Sequence, residues 1–372
     1  MNTTRKLLLV CFSIMLLTGC WDQNLLKDAK LVMTSGFDLT KEGKLLGTIV
    51  IPIFTSSEGG AKVAESQIVT GEGDTTMDIE KQLDLKISGQ FDASKMIVLL
   101  FGEDYAKQDI KQGLDVFYRD PRRSLVANAA VVKGRAVDLL HLKLNEKGSM
   151  SGYLNDLFES AQADSVIPRQ TRPMYSDFYD PATDIILPLL EAQEREAQFI
   201  GLALFNDSKY TGKYLDINES TIYMLLADER SKHAEIKIQV HNNEVPKSNN
   251  YIYINVLKAD RKLTVKGQDP DNISANIQLD LKIEILEDPK NNLDSFKKIN
   301  DLEKETTEKL TEEANKVIKK LQEANSDSLS IGRRLIAFHN NTWKKIDWAE
   351  KYPTIEFEAK VNVHVIKHGI FN

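Results

Sequence analysis

Residues 96–101 read Met-Ile-Val-Leu-Leu-Phe, an uninterrupted apolar run that predicts a short strand buried on both faces. The residues after it are typical of a helix over Tyr105–Tyr118, and a second strand is predicted over Ser124–Val132. One or two further helical turns are predicted over Val137–Leu142. Strand, helix, strand and helix in this order indicate an α/β arrangement.

Upstream of this run the sequence predicts a hairpin, a third strand and a helix. Two β-branched, apolar runs, Leu31–Phe37 and Leu45–Ile53, are separated by a polar, glycine-containing connection, which is typical of a hairpin. Val63–Thr70 is predicted as another strand. After it, Gly71-Glu72-Gly73 is predicted as a turn, and Asp74 is predicted to cap the next helix.

Downstream, the pattern changes from helices to hairpins. A helix is predicted over Tyr153–Ala163, and four prolines then exclude long elements as far as Pro188. Phe199–Phe205 and Tyr210–Leu215 predict a second hairpin, because a short polar turn separates the two runs.

The last third of the chain predicts a sheet with one solvent-facing side and a long helix. Polar and apolar residues alternate in three predicted strands, Ile236–Val240, Tyr251–Leu257 and Ile273–Leu286. Asn292–Asn325 predicts one amphipathic helix about 50 Å long. Its apolar positions are Phe296, Ile299, Leu302, Leu310, Val317 and Leu321. They do not keep a seven-residue repeat, which favours packing on the protein's own sheet over a coiled coil. Ile355–Ile366 is the last predicted strand.

These elements predict a mixed α/β or α+β protein with several domains, with mixed sheets and one long helix in its C-terminal half. A chain of 372 residues with 42% hydrophobic and 28% charged residues is long enough for two or three domains. The predicted division is an N-terminal mixed α/β region over 20–195, as one unit or two subdomains, and a C-terminal domain over 196–372.

The first twenty residues are typical of a bacterial lipoprotein. Arg5 and Lys6 precede an apolar run over Leu7–Leu17, which is too short to span a bilayer core of roughly 30 Å. Leu17-Thr18-Gly19-Cys20 then follows the lipobox pattern. We therefore expect residues 1–19 to be removed as a signal peptide; the alternative is an ordinary signal peptide with a chance cysteine.

This pattern predicts a covalent lipid anchor on Cys20. Its thiol would carry a diacylglyceryl group as a thioether, and two acyl chains hold a protein stably at about 0.8 kcal/mol per buried CH₂. The formal net charge of −7 becomes −9 when Arg5 and Lys6 are removed with the leader. Such an acidic body argues against nucleic-acid binding and against electrostatic adhesion of the whole body to anionic lipid. No later stretch has 18 consecutive apolar residues, so the body is expected in water, outside the cytoplasm.

The sequence offers no convincing catalytic motif. Both cysteines, Cys11 and Cys20, lie in the first twenty residues, which leaves the body without a disulfide, a zinc site or a thiol nucleophile. Gly148–Gly152 resembles a nucleophile elbow but has Met150 where the serine belongs, so a loop before a helix is favoured. Gly71-Glu72-Gly73 lacks the third glycine of a phosphate-binding loop.

Other candidate sites have a structural explanation that is favoured over the functional one. Asp269-Pro270-Asp271 begins like a calcium loop but lacks the later ligand and glycine. His364 and His368 would lie roughly 13 Å apart on a strand, too far for one metal ion. Arg119–Arg123 is favoured as a solvated loop, although it could contact lipid headgroups or an acidic partner.

Several motifs together resemble the Ger(x)C family, the lipoprotein C subunits of nutrient germinant receptors. The N-terminal motifs are Gly19-Cys20-Trp21-Asp22, Gly36-Phe37-Asp38, Tyr118-Arg119-Asp120-Pro121 and Gly201–Phe205 with Lys209 and Gly212-Lys213. Near the end of the chain, Asp327, Gly332, Trp343 and Trp348 follow in the family's order. For Trp343 and Trp348, a core or core-rim position is favoured over an interface hot spot. Two positions depart from the pattern, Ser330 in place of a glycine and Asn341 near a frequent proline.

The resemblance implies a non-enzymatic, elongated protein of about three mixed α/β domains on the inner membrane of dormant spores. It implies assembly with an A subunit, a membrane protein with soluble domains, and a B subunit resembling an amino-acid permease. No cofactor is implied beyond the diacylglycerol on Cys20. The alternative is a solute-binding lipoprotein of a transporter, which would have two similar lobes around a cleft. A surface hydrolase is disfavoured by the lack of motifs.

Overall fold

The computed structural model describes residues 29–56, 62–120, 122–124, 126–145, 148–169, 175–290 and 293–368. The strands are β1 (Ala29–Leu31), β2 (Thr34–Leu39), β3 (Leu45–Ser56), β4 (Lys62–Gly73), β5 (Gln90–Asp92), β6 (Val98–Gly102), β7 (Asn128–Lys133), β8 (Ile186–Ala192), β9 (Ala197–Asn206), β10 (Lys209–Leu215), β11 (Glu235–Gln239), β12 (Tyr251–Asp269), β13 (Asn272–Glu287) and β14 (Glu356–Lys367). The helices are α1 (Thr76–Asp84), α2 (Glu103–Ala106), α3 (Ile110–Gly113), α4 (Asp115–Arg119), α5 (Ala136–Leu140), α6 (Met150–Ala163), α7 (Tyr175–Phe178), α8 (Ile217–Ala227), α9 (Phe296–Glu323), α10 (Ile331–Phe338), α11 (Asn340–Trp343) and α12 (Trp348–Lys351).

An eight-stranded mixed sheet organises the first half of the chain, in the order β10-β9-β8-β7-β6-β2-β3-β4. All five residues of β6 are buried, and its neighbours β2 and β7 run parallel to it, which confirms the buried strand predicted from residues 96–101. Helices α1–α4 pack on one face, and α5, α6 and α8 pack on the other. Strands β9 and β10 follow the predicted boundary at residue 195, yet they complete this sheet.

The helix predicted over Tyr105–Tyr118 is wrong, because three short helices, α2 to α4, occupy this segment. The Asp109 side chain accepts a hydrogen bond from the Lys111 N–H and so starts a new helix. Gly113 then lets the Tyr105 ring pack closely, since a Cβ there would lie 1.7 Å from the Tyr105 hydroxyl. The packing of this buried ring, rather than helix propensity, therefore favours three short helices over one long helix.

Two neighbouring predictions also need correction. Gly71-Glu72-Gly73 is not a turn but the end of β4, where a Cβ on Gly71 would lie 3.1 Å from the Ile79 carbonyl oxygen. The cap of α1 is Thr75 rather than Asp74, because the Thr75 side chain accepts from the Asp78 N–H in a capping box. The helix itself lies where it was predicted.

A second sheet, in the order β11-β12-β13-β14, forms most of the last third of the chain. Its strands alternate buried and exposed residues, as predicted, and β14 runs parallel to β13. Helix α9 covers the buried face, with Leu302, Leu310, Val317 and Leu321 in the core. Phe296 was predicted on the apolar side of this helix but is 87% exposed, because it begins the first turn, before the helix reaches the core. The 28 residues of α9 span about 42 Å.

The outer edge of β14 is covered by polar side chains of α9. Four of them, one per four residues, accept hydrogen bonds from alternate N–H groups of the strand. The pairs are Glu303 with Val365 (2.6 Å), Thr307 with Val363 (3.2 Å), Thr311 with Val361 (3.2 Å) and Asn315 with Ala359 (2.9 Å). The spacings match, since four helical residues rise about 6.0 Å and two strand residues about 6.6 Å. This arrangement protects a sheet edge that could otherwise pair with another chain.

Candidate functional site: the Asp327 junction

The Asp327 carboxylate is the centre of a buried polar cluster that includes family-motif residues. Its Oδ1 accepts from the Ile331 N–H at 2.8 Å, where α10 begins. Its Oδ2 accepts from the Gly332 N–H at 2.7 Å and from the Trp348 indole N–H at 3.0 Å. The side chain is only 1% exposed. Three of the four C-terminal motif residues predicted from the sequence are therefore in direct contact.

Gly332 makes the contact with Trp348 possible. A Cβ at this position would lie 2.8 Å from the indole nitrogen and 3.1 Å from Asp327 Oδ2. The ring of Trp348 lies 5.8 Å from Trp343 and 5.6 Å from Tyr352, measured between centroids. Trp348 is 9% exposed, and Trp343 packs against the core while half-buried, which confirms the predicted core and core-rim positions.

A second carboxylate, Asp184, joins this cluster to the segment that precedes β8. Its Oδ2 accepts from the Asp327 N–H at 2.7 Å, and its Oδ1 accepts from the Asp207 N–H at 2.6 Å. In return, the Asp184 N–H donates to the Asp327 carbonyl at 3.2 Å. Nearby, Arg333 Nε donates to Asp180 Oδ2 at 2.6 Å. We call this set of contacts the Asp327 junction; it connects the eight-stranded sheet to the loop after α9.

Burial shifts the pKa values of the acids in the junction. Desolvation raises the pKa of Asp327 to about 7, although the donated hydrogen bonds from Gly332, Ile331 and Trp348 act in the opposite direction. Desolvation likewise raises the pKa of Asp184 to about 6, against the hydrogen bonds from the Asp327 and Asp207 N–H groups. Both carboxylates are fully used in holding backbone and indole groups, so the cluster binds chain segments together rather than presenting an acid and a base to a substrate.

The N-terminal motif Gly36-Phe37-Asp38 serves a similar local purpose. The Asp38 carboxylate accepts from the Ala136 and Val137 N–H groups, both at 2.8 Å, at the start of α5. Burial raises the pKa of Asp38, while these two hydrogen bonds lower it. A Cβ on Gly36 would lie 3.1 Å from the Ala136 Cβ, and one on Gly102 would lie 1.9 Å from Asp38 Oδ1. The two glycines thus let α5 approach the sheet.

The segment Arg119–Arg123 was favoured as a solvated loop, and this is wrong for Arg123. Its guanidinium forms a bidentate ion pair with Glu80, at 2.5 and 2.6 Å, and both side chains are 10% exposed. The guanidinium also lies over the Phe117 ring, 5.3 Å from its centroid. Arg122 is exposed, as predicted, and pairs with Asp120 at 3.0 Å. Arg123, two residues after the Arg-Asp-Pro motif, therefore anchors this loop to α1.

The remaining candidates have the structural roles favoured above. Ser149 caps α6 by accepting from the Gly152 N–H, and Met150 is buried after it. Asp269 to Asp271 form the turn between β12 and β13. His364 lies on β14, as predicted. Within the described ranges, no group of three His, Cys, Asp or Glu side chains could hold a metal ion.

A cavity of about 360 Å³ lies beside the Asp327 junction. Its lining includes Phe158, Arg169, Glu229 and Tyr223. Burial and the neighbouring Glu229 raise the pKa of Tyr223, whose hydroxyl donates to the Ser328 carbonyl at 3.2 Å. The lining also includes Asp184, and the Thr183 and Ser330 hydroxyls contact each other at 2.8 Å, so the cavity borders the junction.

The predicted lipid-attachment residue Cys20, with Trp21 and Asp22, lies outside the described residues. In the part of the chain that the structure describes, none of the helices has the length and apolar character needed to cross a bilayer.

Comparison with known families identifies the chain. A family model described as "Spore germination protein N-terminal domain" matches residues 22–192. A second, described as "Spore germination B3/ GerAC like, C-terminal", matches residues 200–369. The first match ends with β8 and the second begins within β9, so the hydrogen bond from the Asp327 N–H to Asp184 joins the part of the chain in the first match to the part in the second.

Relatives and a solved structure agree with these matches. The chain is 26% identical over 369 residues to spore germination protein GerQC of Bacillus cereus, covering 98% of this chain and 99% of the relative. It is 20% identical over 397 residues to spore germination protein KC of Bacillus subtilis, covering 98% and 95%. The crystal structure of the GerBC protein has the same fold, with a TM-score of 0.55 at 16% identity, covering 89% of this chain and 96% of that one.

The mixed α+β fold and the buried motif junction, taken with these matches, define a protein of the spore germination class. The chain belongs to the Ger(x)C family, as its motifs predicted, and its role is in spore germination.

Proposed function

We propose that this chain is a non-enzymatic lipoprotein subunit of a membrane-bound nutrient germinant receptor. In this proposal, diacylglycerol on Cys20 holds it on the outer face of the spore inner membrane, where it assembles with the A and B membrane subunits. The observation that carries the proposal is the lipobox Leu17-Thr18-Gly19-Cys20, placed directly before a body that belongs to a spore germination family.

The described part of the chain supports a binding role rather than a catalytic one. The buried acids Asp38, Asp184 and Asp327 each accept hydrogen bonds from backbone N–H groups. A carboxylate occupied in this way is poorly placed to act on a substrate. A docking body at the membrane would need a firm connection between its two parts, and the Asp327 junction provides one.

The lipid anchor is tested by replacing Cys20 with Ala in the native host. We expect this variant to leave the membrane fraction and to impair germination, because no acyl chain would then hold the body to the bilayer. Cys11→Ala is the matched control, since it makes the same change within the removed leader. Full membrane retention of the Cys20→Ala variant would contradict the anchor.

The receptor role is tested by affinity purification of the acylated protein from detergent-solubilised spore membranes. We expect a permease-like protein and a larger membrane protein with soluble domains to co-purify. Calorimetry on the soluble body should detect no tight binding of free amino acids. A micromolar affinity for one nutrient would instead favour a solute-binding lipoprotein of a transporter.

A further inference from the structure

The start of the described chain lies beside the exposed end of α1. Ala29, the first described residue, pairs with Gln90 in the parallel β1–β5 ladder. The Phe91 N–H donates to Asp84 Oδ1 at 2.9 Å, which holds the last residue of α1 against β5. Cys20 is nine residues before Ala29, so an extended connection spans at most about 30 Å. A bilayer that holds Cys20 must therefore lie within this distance of the β1–β5 pair.

An unusually exposed leucine lies at this end of the fold. Leu85, directly after α1, is 89% exposed. A single exposed leucine is ordinary on a protein surface, so its exposure alone implies nothing. Leu85 matters here because it lies near the start of the described chain, which begins nine residues after the proposed lipid anchor. An apolar side chain close to a bilayer can enter the membrane interface.

Lysines accompany this leucine in an otherwise acidic protein. Lys30 lies on β1 opposite Phe91, and Lys86 follows Leu85. Lys86 Nζ donates to the Thr70 carbonyl on β4 at 2.7 Å, which holds this ammonium group at the protein surface. A basic residue near an anionic leaflet favours binding, whereas the net charge of −9 that remains without the leader disfavours approach of most other surfaces.

We propose that the surface formed by Lys30, Leu85, Lys86, Ser88 and Gln90 docks on the anionic bilayer that holds the acyl chains of Cys20. We call it the anchor-side surface. This inference rests on the proposed lipid anchor and adds an orientation to it: the β1–β5 end faces the lipid, and the start of α9 faces water. Two lysines and one apolar side chain are sufficient for docking, because the anchor already holds this surface close to the membrane.

The test uses the acylated protein with one added cysteine. Acylation occupies the Cys20 thiol and the leader carries Cys11 away, so an introduced cysteine is the only free thiol of the mature chain. Leu85→Cys and Phe296→Cys are labelled with an environment-sensitive fluorophore. The two positions are matched in exposure, at 89% and 87%, and Phe296 begins the 28-residue helix whose other end is at the Asp327 junction.

Both labelled proteins are reconstituted into phosphatidylglycerol-containing vesicles with nitroxide-labelled headgroups. We expect the label at residue 85 to be quenched and blue-shifted, and the label at residue 296 to be unaffected. Replacing Lys30 and Lys86 with Gln should lower the ratio of docked to undocked protein roughly fivefold per lysine. The labelled Ser88→Cys variant repeats the measurement at a second position, should the change at Leu85 disturb folding.

Vesicle flotation separates the two ways of failing. Protein that floats with the vesicles but shows equal quenching at both positions, or stronger quenching at residue 296, would overturn the anchor-side surface and leave the anchor intact. Protein that does not float would refute the anchor itself and, with it, this inference.

Discussion

Replacement of Asp327 by Asn tests whether burial or hydrogen bonding controls the charge of the junction. The folded pKa of about 7 lies above the ordinary aspartate pKa of 3.8, so the folded state binds more protons between these pH values. The contribution of this group to stability is then fully present below about pH 4 and is lost as the pH rises through 7. At about 1.36 kcal/mol per pKa unit, the free energy of unfolding of the wild type relative to Asp327→Asn should fall by about 4 kcal/mol between pH 4 and 8.

The measurement is urea unfolding across this pH range, followed by the fluorescence of Trp343 and Trp348, which lie at the junction. The lost acceptor in the Asn variant gives an offset that does not depend on pH, so only the slope of the difference is interpreted. Asp260→Asn, at an exposed surface position, is the control for replacing a carboxylate by an amide. The free energy of unfolding of the wild type relative to Asp327→Asn could instead stay constant or grow with pH. This result would mean that the three N–H donors outweigh burial and that Asp327 is ionised throughout.

Three further predictions concern packing and pairing, each measured by urea unfolding. Gly332→Ala should cost about 1–3 kcal/mol, because the new Cβ would meet the Trp348 indole nitrogen; an unchanged midpoint would show that the ring can move aside. Glu80→Ala should cost about 3–5 kcal/mol by leaving the Arg123 guanidinium buried without its main partner, and a loss under about 1 kcal/mol would contradict this. Asn315→Ala should cost about 1–3 kcal/mol and promote association through the uncovered β14 edge, which light scattering would detect; a monomeric, equally stable variant would refute this role.

Periodicity predicted most elements, because burial of a regular face is visible in a local window of sequence. The four-strand sheet, both hairpins and the long helix α9 follow from it. It failed for α8, a helix that is buried on nearly all sides and therefore has no polar stripe. The capping box of Asp216 and Glu219, an acidic pair three residues apart, was the available signal for its start.

Only part of the candidate site could be predicted from the sequence, for a related reason. Asp327, Gly332 and Trp348 lie within 22 residues of one another, and their order along the chain is a motif that the sequence alone shows. Asp184 lies 143 residues earlier, between prolines, with no pattern that distinguishes it from a loop acid. A hydrogen bond across that separation depends on how the two sheets pack, which no local window of sequence contains.

In both halves of the chain, motif residues provide acceptors for the N–H groups at the start of a helix. Asp38 and Asp327 are buried carboxylates that each accept from two successive N–H groups at the start of a helix, α5 and α10. Beside each lies a glycine, Gly102 or Gly332, whose Cβ would crowd the carboxylate. Buried N–H groups without partners at the start of a helix would be costly. A larger residue in place of either glycine would keep the carboxylate from reaching these N–H groups. The residues that identify the family therefore hold its fold together. Variants at these motifs should change stability first.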